Sequence, residues 1–307
     1  KSIATLVQME YSAFEEATVP ICSFVLKNGK PAEKGLYFKL SDFKGGMEVQ
    51  KTKVLEALAD KDCGYFYEAD QSNFSKIPGS PVAYWLSSPV YQSFDGKSAS
   101  DFGQAQKGLD TCDVNRFVRN WHEVAFFKIC LYANSENRNL LTYKWFPYAK
   151  GGEYRKWYGN VDTVVLWENN GYELRHLFNK DGKLKSRPQN IQDYFKKLIT
   201  WSAITSGKPS MRYIEHCIYG GGGTAYVPRN NIFYSIALFN SKLALMYLSV
   251  LSPTLNYEAG HVMTIPYKYL SEHDNLVTQK ATEAIEIERL DWDSYETSWD
   301  FKRSPLI

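Results

Sequence analysis

Lys144-Trp145-Phe146-Pro147-Tyr148-Ala149-Lys150-Gly151-Gly152-Glu153-Tyr154-Arg155-Lys156-Trp157-Tyr158-Gly159-Asn160 interleaves aromatic side chains with the cations Lys144, Lys150, Arg155 and Lys156. Aromatic faces stack on bases or sugars, while Lys and Arg neutralise phosphates, so this composition suits a nucleic-acid surface. Gly151-Gly152 lets main-chain amides approach a ligand with no Cβ in the way. The same residues also describe an aromatic-rich strand and turn whose lysines are merely solvated. Composition alone leaves both readings open.

The charge around the run is uneven. Between Arg138 and Arg229 there are 15 Lys and Arg against 7 Asp and Glu, and from Ser271 to the end 4 against 9. The total of +2 conceals this. A basic middle beside an acidic end points to a polyanion-binding centre, although solvated lysines on a large domain produce a similar pattern. With 307 residues, 44% hydrophobic and 15% aromatic, the chain predicts a packed protein of one large or two ordinary domains. Cys22, Cys63, Cys112, Cys130 and Cys217 are odd in number and widely spaced, with no CxxC pair. That argues against a zinc site and a disulfide framework, and makes the cytoplasm the default location. No apolar run is long enough to span a membrane; Ile232–Leu251 comes closest but is interrupted by Asn240, Ser241 and Lys242. A start at Lys1, without Met or signal peptide, suggests a segment of something longer.

Along the chain, Ile3–Val7 and Val19–Leu26 are apolar, β-branched strand candidates. Asn28–Pro31 predicts a turn, with Gly35–Leu40 as the returning strand, and Lys53–Asp60 is helical in composition. Ile77-Pro78-Gly79-Ser80-Pro81 is a rigid break and the expected domain boundary. Beyond it the pattern predicts helices over 189–204, with Tyr194, Phe195, Leu198 and Trp201 on one face, and over 233–251, apolar nearly all round. A further amphipathic, exposed helix is predicted over 269–290, and Asp291–Glu296 reads as a solvated linker.

Other constellations are weaker. In Gly108–Arg119, Asp113 or Asn115 can cap a helix, and Asn115, Arg116 and Arg119 can reach bases or phosphates. Lys183–Pro188 is short and basic before an expected helix N-terminus, which favours a phosphate. Gly220–Thr224 lacks the following GK[ST] of a phosphate loop and reads as a turn between strands. No HExxH, GxSxG or inferable Cys–His pairing marks a catalytic or metal centre.

Several stretches in order along nearly the whole chain resemble PglX-type adenine-specific DNA methyltransferases of the BREX phage-defence systems, themselves similar to single-chain type II restriction–modification enzymes. They are Tyr11–Cys22, Ile77–Trp85, Gly108–Trp121, Lys144–Asn160, Ser186–Asn190, Ser252–Asn256 and Asp291–Phe301. The resemblance implies an α+β fold of mixed small twisted sheets with flanking helices. It implies three parts: 1–76 as the tail of a methyltransferase domain, with Tyr11–Leu26 in its closing strand pair; 77–268 as a DNA target-recognition domain; and 269–307 as a helical connector. The family's S-adenosylmethionine glycine motif and its Asn-Pro-Pro-Tyr-type tetrapeptide do not occur here. The cofactor therefore belongs to the parent enzyme, and this segment alone is expected to be inactive. Cys112 stands where relatives usually carry Gly, which predicts an altered loop.

The implied partners are double-stranded DNA, the upstream methyltransferase domain and other defence proteins, with no membrane. Lys144, Lys150, Arg155, Lys156 and Arg187 are the candidates for phosphates. Tyr148, Trp157, Asn160, Asn115 and Arg119 are the candidates for bases or distorted DNA. Two rival classes remain at this stage: an aromatic-lined carbohydrate-binding module, and a protein-interaction scaffold that uses the same basic face.

Overall fold

A computed structural model describes residues 1–11, 13–14, 19–29, 34–134 and 143–307. Arg138 and part of the Asn28–Pro31 turn lie outside the described residues. The chain divides into two compact units, Lys1–Asp95 and Gly96–Ile307, later along the chain than the Ile77–Pro81 break. Both are built from small open sheets with flanking helices, the α+β architecture expected.

In the first unit, β1 (Ser2–Tyr11), β2 (Pro20–Lys27), β3 (Gly35–Lys39) and, after helix α1 (Gly46–Ala59), β4 (Phe66–Ala69) form a sheet of order β2-β1-β3-β4. The segment expected to return beside β2 instead lies parallel to β1, with Thr5 opposite Leu36. Burial explains the difference: Tyr37, Phe38 and Leu40 need both faces covered, whereas β2 is exposed nearly throughout and takes the edge. Residues 77–95, with the short helix α2 (Ser88–Ser93), pack within this unit. Tyr84 stacks on Tyr37 at 4.7 Å and donates to Gln8 at 2.7 Å.

The second unit runs α3 (Ala99–Phe102), β5 (Gly103–Gln106), β6 (Leu109–Asp110), α4 (Val114–Phe117), β7 (Val118–Asn120), β8 (Trp145–Ala149), β9 (Thr163–Leu166) and α5 (Glu168–Arg175). It continues with β10 (Arg187–Pro188), β11 (Leu198–Trp201), β12 (Met211–Ile214), β13 (Ile218–Tyr219), β14 (Ala225–Pro228), α6 (Ile232–Phe239), α7 (Lys242–Leu251), α8 (Ala259–Met263) and α9 (Asp274–Trp292). The strands pair as β12-β11-β14-β5, β13-β8-β9-β7 and β10-β6. Leu109, Phe117, Phe146, Trp167, Tyr194, Leu198, Ile218 and Trp292 join in one core.

Three expectations fail here for physical reasons. The helix predicted over 189–204 is a short 3-10 turn (Ile191–Asp193) followed by β11. All four residues of β11 are buried between β12 and β14, and a short apolar run buried on both faces cannot be told from a helix by periodicity. Phe195, at φ +67°, also leaves helical backbone just before it. The phosphate site imagined at that helix's N-terminus therefore has no helix to supply it. The single helix predicted over 233–251 is two, bent by 66°. Asn240 holds Met211 through both its side-chain atoms, and the Ser241 hydroxyl caps α7 at the Ala244 amide. Among the described residues, no single helix is long and apolar enough to cross a membrane.

The third failure is the solvated linker after α9: Trp292 enters the core, and Asp293 accepts from Ser298. The helix over the preceding residues is present. It buries Ala281 and Ile285 but leaves Leu276 and Ile287 exposed, so its apolar stripe is narrower than the sequence suggests.

Candidate nucleic-acid interface

The run Lys144–Asn160 is half core and half surface. In β8, Phe146 and Tyr148 point inward, with Phe146 against Phe195 and the Tyr148 hydroxyl donating to the Leu109 carbonyl at 2.9 Å. Burial pushes the Tyr148 phenol well above its usual range. Neither ring is placed to stack on a base. At Ala149 the strand ends, and Lys150-Gly151-Gly152 emerges against a second glycine turn, Gly220–Gly223, between β13 and β14. Gly151 has φ +97°, and a Cβ there would stand 2.9 Å from the Gly222 carbonyl, so glycine is required for this approach.

The remaining cations of the run are committed within the unit. Lys144 pairs with Glu168 at 3.2 Å. Arg155 pairs with Asp291 at 2.8 Å and lies over the Trp292 ring. Lys156 donates to the Asn240 carbonyl at 2.8 Å, at the C-terminus of α6. Trp157 extends the edge of β12, donating its amide to the Met211 carbonyl and accepting from the Tyr213 amide. Asn160 ties back to the Glu153 carbonyl. Arg119 donates to the carbonyls of Asn115 and Val118, and Arg116 pairs with Glu173. Asp113, as expected, caps α4 by accepting from the Arg116 amide.

Lys150, Asn115 and Arg187 stay exposed. Lys150 sits between two cavities. One, of about 540 Å³, is walled by Gly151, Gly152, Gly221 and Gly222, with Lys107, Ser202, Ile204, Thr224, Asn256 and Glu258. The other, about 280 Å³, is lined by Asn115, Arg119, Asn120, Glu123 and Thr163. Of the residues proposed from sequence, the structure thus brings Lys150, Asn115 and Arg119 together. Arg187 stands opposite Asp110 in the β6–β10 pair, two residues from Cys112. Cys112 itself adopts φ +54°, a left-handed backbone that a glycine takes freely. Sequence reasoning missed Lys107, Ser202, Thr224 and Arg212. A charged residue inside the apolar run Met211–Ile214 was the available signal for the last of these.

No family model matches the chain. The PglX adenine-specific methyltransferase of Lacticaseibacillus casei (strain Zhang) is 32% identical over 99% of the chain. The BrxX adenine-specific methyltransferase of Escherichia coli O9:H4 (strain HS) is 33% identical over 100% of it. From end to end, the chain matches the PglX and BrxX adenine-specific methyltransferases. It spans about a quarter of the length of these curated relatives, 26% and 24%. The fold also resembles that of the Type IIL restriction–modification enzyme MmeI, solved in complex with DNA. That alignment has a TM-score of 0.50 at 11% identity and covers 97% of this chain and 39% of MmeI. Among the described residues no group of His, Cys, Asp and Glu is arranged to hold a metal ion.

Proposed function

We propose that this chain is the DNA target-recognition segment of a PglX/BrxX-like adenine-N6 methyltransferase acting in phage defence or restriction–modification. The observation that carries the reading is the position of Lys150, an exposed cation shared by a glycine-walled cleft and the Asn115–Arg119 hollow. Lys150, Lys107 and Arg187 neutralise phosphates and set register on the duplex, and Asn115 reaches a base edge. The MmeI neighbour, solved with DNA, supports this. Methyl transfer from S-adenosylmethionine belongs to the rest of the parent enzyme, whose methyltransferase domain is this segment's partner in the cytoplasm, alongside other defence proteins.

The test is salt-titrated binding of this chain to duplex DNA pools. Each phosphate contact contributes about −0.9 to the slope of log K against log salt. Lys150→Ala with Lys107→Ala should therefore weaken binding and reduce the slope by roughly two. Binding with an unchanged slope in the double variant overturns the reading.

A further inference from the structure

The glycine-walled cleft has one unsatisfied buried polar group in its wall and a second behind it. Thr224 lines it with no exposed surface, and its hydroxyl meets no hydrogen-bond partner. A buried hydroxyl without a partner is disfavoured, so a retained one points to a ligand that satisfies it. Behind the wall lies Arg212, only 1% exposed. Among the described residues no carboxylate pairs with it. Its guanidinium has three long contacts, each 3.4 Å: to the Arg155 carbonyl, the Ser210 hydroxyl and the Ser202 hydroxyl. Its Nε has no partner. Desolvation lowers its pKa from the usual arginine value to about 10, so it remains charged at neutral pH.

Ser202 connects this charge to the cleft. Its hydroxyl accepts from the Gly152 amide at 3.0 Å and donates to the Gly152 carbonyl at 2.7 Å, while accepting from Arg212. Buried cations are normally paired, because desolvation of an isolated charge is costly. Across Ser202 from this charge lies a cavity whose lining includes Lys107 and Lys150. One carboxylate, Glu258, also lines the cleft, at the N-cap position of α8.

We propose that this cleft is a built phosphate site, with Lys107 and Lys150 contacting the anion, the Thr224 hydroxyl, covered in this structure, bonding it on binding, and Arg212 supplying the compensating charge from behind Ser202. The phosphate belongs to a DNA strand, which rests on the function proposed above. The glycine turns bring backbone close enough to admit a phosphodiester where side chains would block it. Glu258 confines the anion to the Lys107–Lys150 side.

Two substitutions separate this role from a structural one. Thr224→Val is isosteric and removes the unpartnered hydroxyl, and Arg212→Met removes a buried unpaired cation. If these groups served only the fold, their loss would lower the Tm or leave everything else unchanged. The proposal expects the Tm of each variant, without phosphate, to match or exceed that of the parent chain. It also expects inorganic phosphate to raise the Tm of the parent chain above a chloride control of equal ionic strength, and to lose this effect in both variants. Duplex affinity should fall about tenfold for Thr224→Val, the loss of one hydrogen bond to a charged group. Duplex binding that depends on Lys150 but not on Thr224 or Arg212, with no phosphate effect on Tm, overturns the site and leaves the function standing. A phosphate effect lost in both variants, with no duplex binding at any salt, supports the site and overturns the function.

Discussion

Arg155 Nη1 lies 2.8 Å from Asp291 Oδ2, joining residues 136 positions apart. A second contact runs to Glu288 at 3.4 Å, and the guanidinium rests over Trp292 at 5.3 Å. The acidic end of the chain thus neutralises part of its basic middle. What reads in sequence as a polyanion surface and a separate acidic connector is, at this point, one internal seam. Trp292 is drawn into the core beneath it.

Arg155→Ala should therefore lower stability by about 1 kcal/mol, through the partly exposed ion pair and the lost cation–π contact. Combined with Asp291→Ala, the loss should be less than additive in a double-mutant cycle read by denaturant unfolding. The salt slope of duplex binding should not change, because the Arg155 charge is already paired with Asp291 and Glu288.

Lys156 makes a related prediction on the other flank. Its ammonium meets the Asn240 carbonyl at the C-terminus of α6, where a cation satisfies an orphan acceptor and complements the helix dipole. Lys156→Met keeps the stem and removes the charge. It should cost about 0.5–1 kcal/mol of stability and leave DNA binding intact. A variant that folds as well as the parent but loses duplex affinity would return Lys156 to the interface.

These two residues show what was legible in the sequence and what was not. The run's aromatic half announced a strand, and β8 is that strand. The apolar residues of 232–251 announced burial, and α6 and α7 each bury one face, but the bend is fixed where Asn240 holds Met211 and Ser241 caps α7. A linear charge count marked the basic stretch but could not see partners brought in from Glu168, Glu288 or Asp291. Lys150 stays open because the strand ends at Ala149 and the chain turns at glycines, which the Gly151-Gly152 pair did signal. Thr224 sat in a motif dismissed as a mere turn. It is a turn, and it also lines the cleft.

Cys112 tests whether the left-handed loop tolerates a side chain at a cost. Its backbone sits at φ +54°, and its amide bonds to the Asp110 carboxylate at 3.1 Å. Cys112→Gly relieves the left-handed strain but adds freedom to the unfolded chain, so stability should stay within about 1 kcal/mol of the parent. Cys112→Val places a β-branched residue in the same conformation and should lose about 1–2 kcal/mol. Equal Tm values for the two variants would mean that the loop does not hold this geometry in solution.

Glu215 gives the chain an acid-sensitive clasp. Its carboxylate accepts from Arg289 at 3.1 Å and from the Tyr213 hydroxyl at 3.0 Å, and Arg289 lies 4.6 Å over Tyr158. Burial pushes the carboxyl up, but these hydrogen bonds and the Arg289 charge outweigh it and hold the pKa below the ordinary glutamate value. A carboxyl depressed in the folded state contributes stability that is fully present above its unfolded pKa of about 4.3. That stability is lost as pH falls from there through the lower, folded value. Glu215→Gln should lower the Tm at neutral pH by about 2–4 °C, the shift expected for a loss on the order of 1 kcal/mol in a unit of this size. It should also shrink the fall in Tm on acidification below about pH 4, with Asp193, likewise depressed, accounting for part of what remains. Differential scanning calorimetry of both chains across that range decides it: parallel acid limbs with a constant offset would place the acid sensitivity elsewhere.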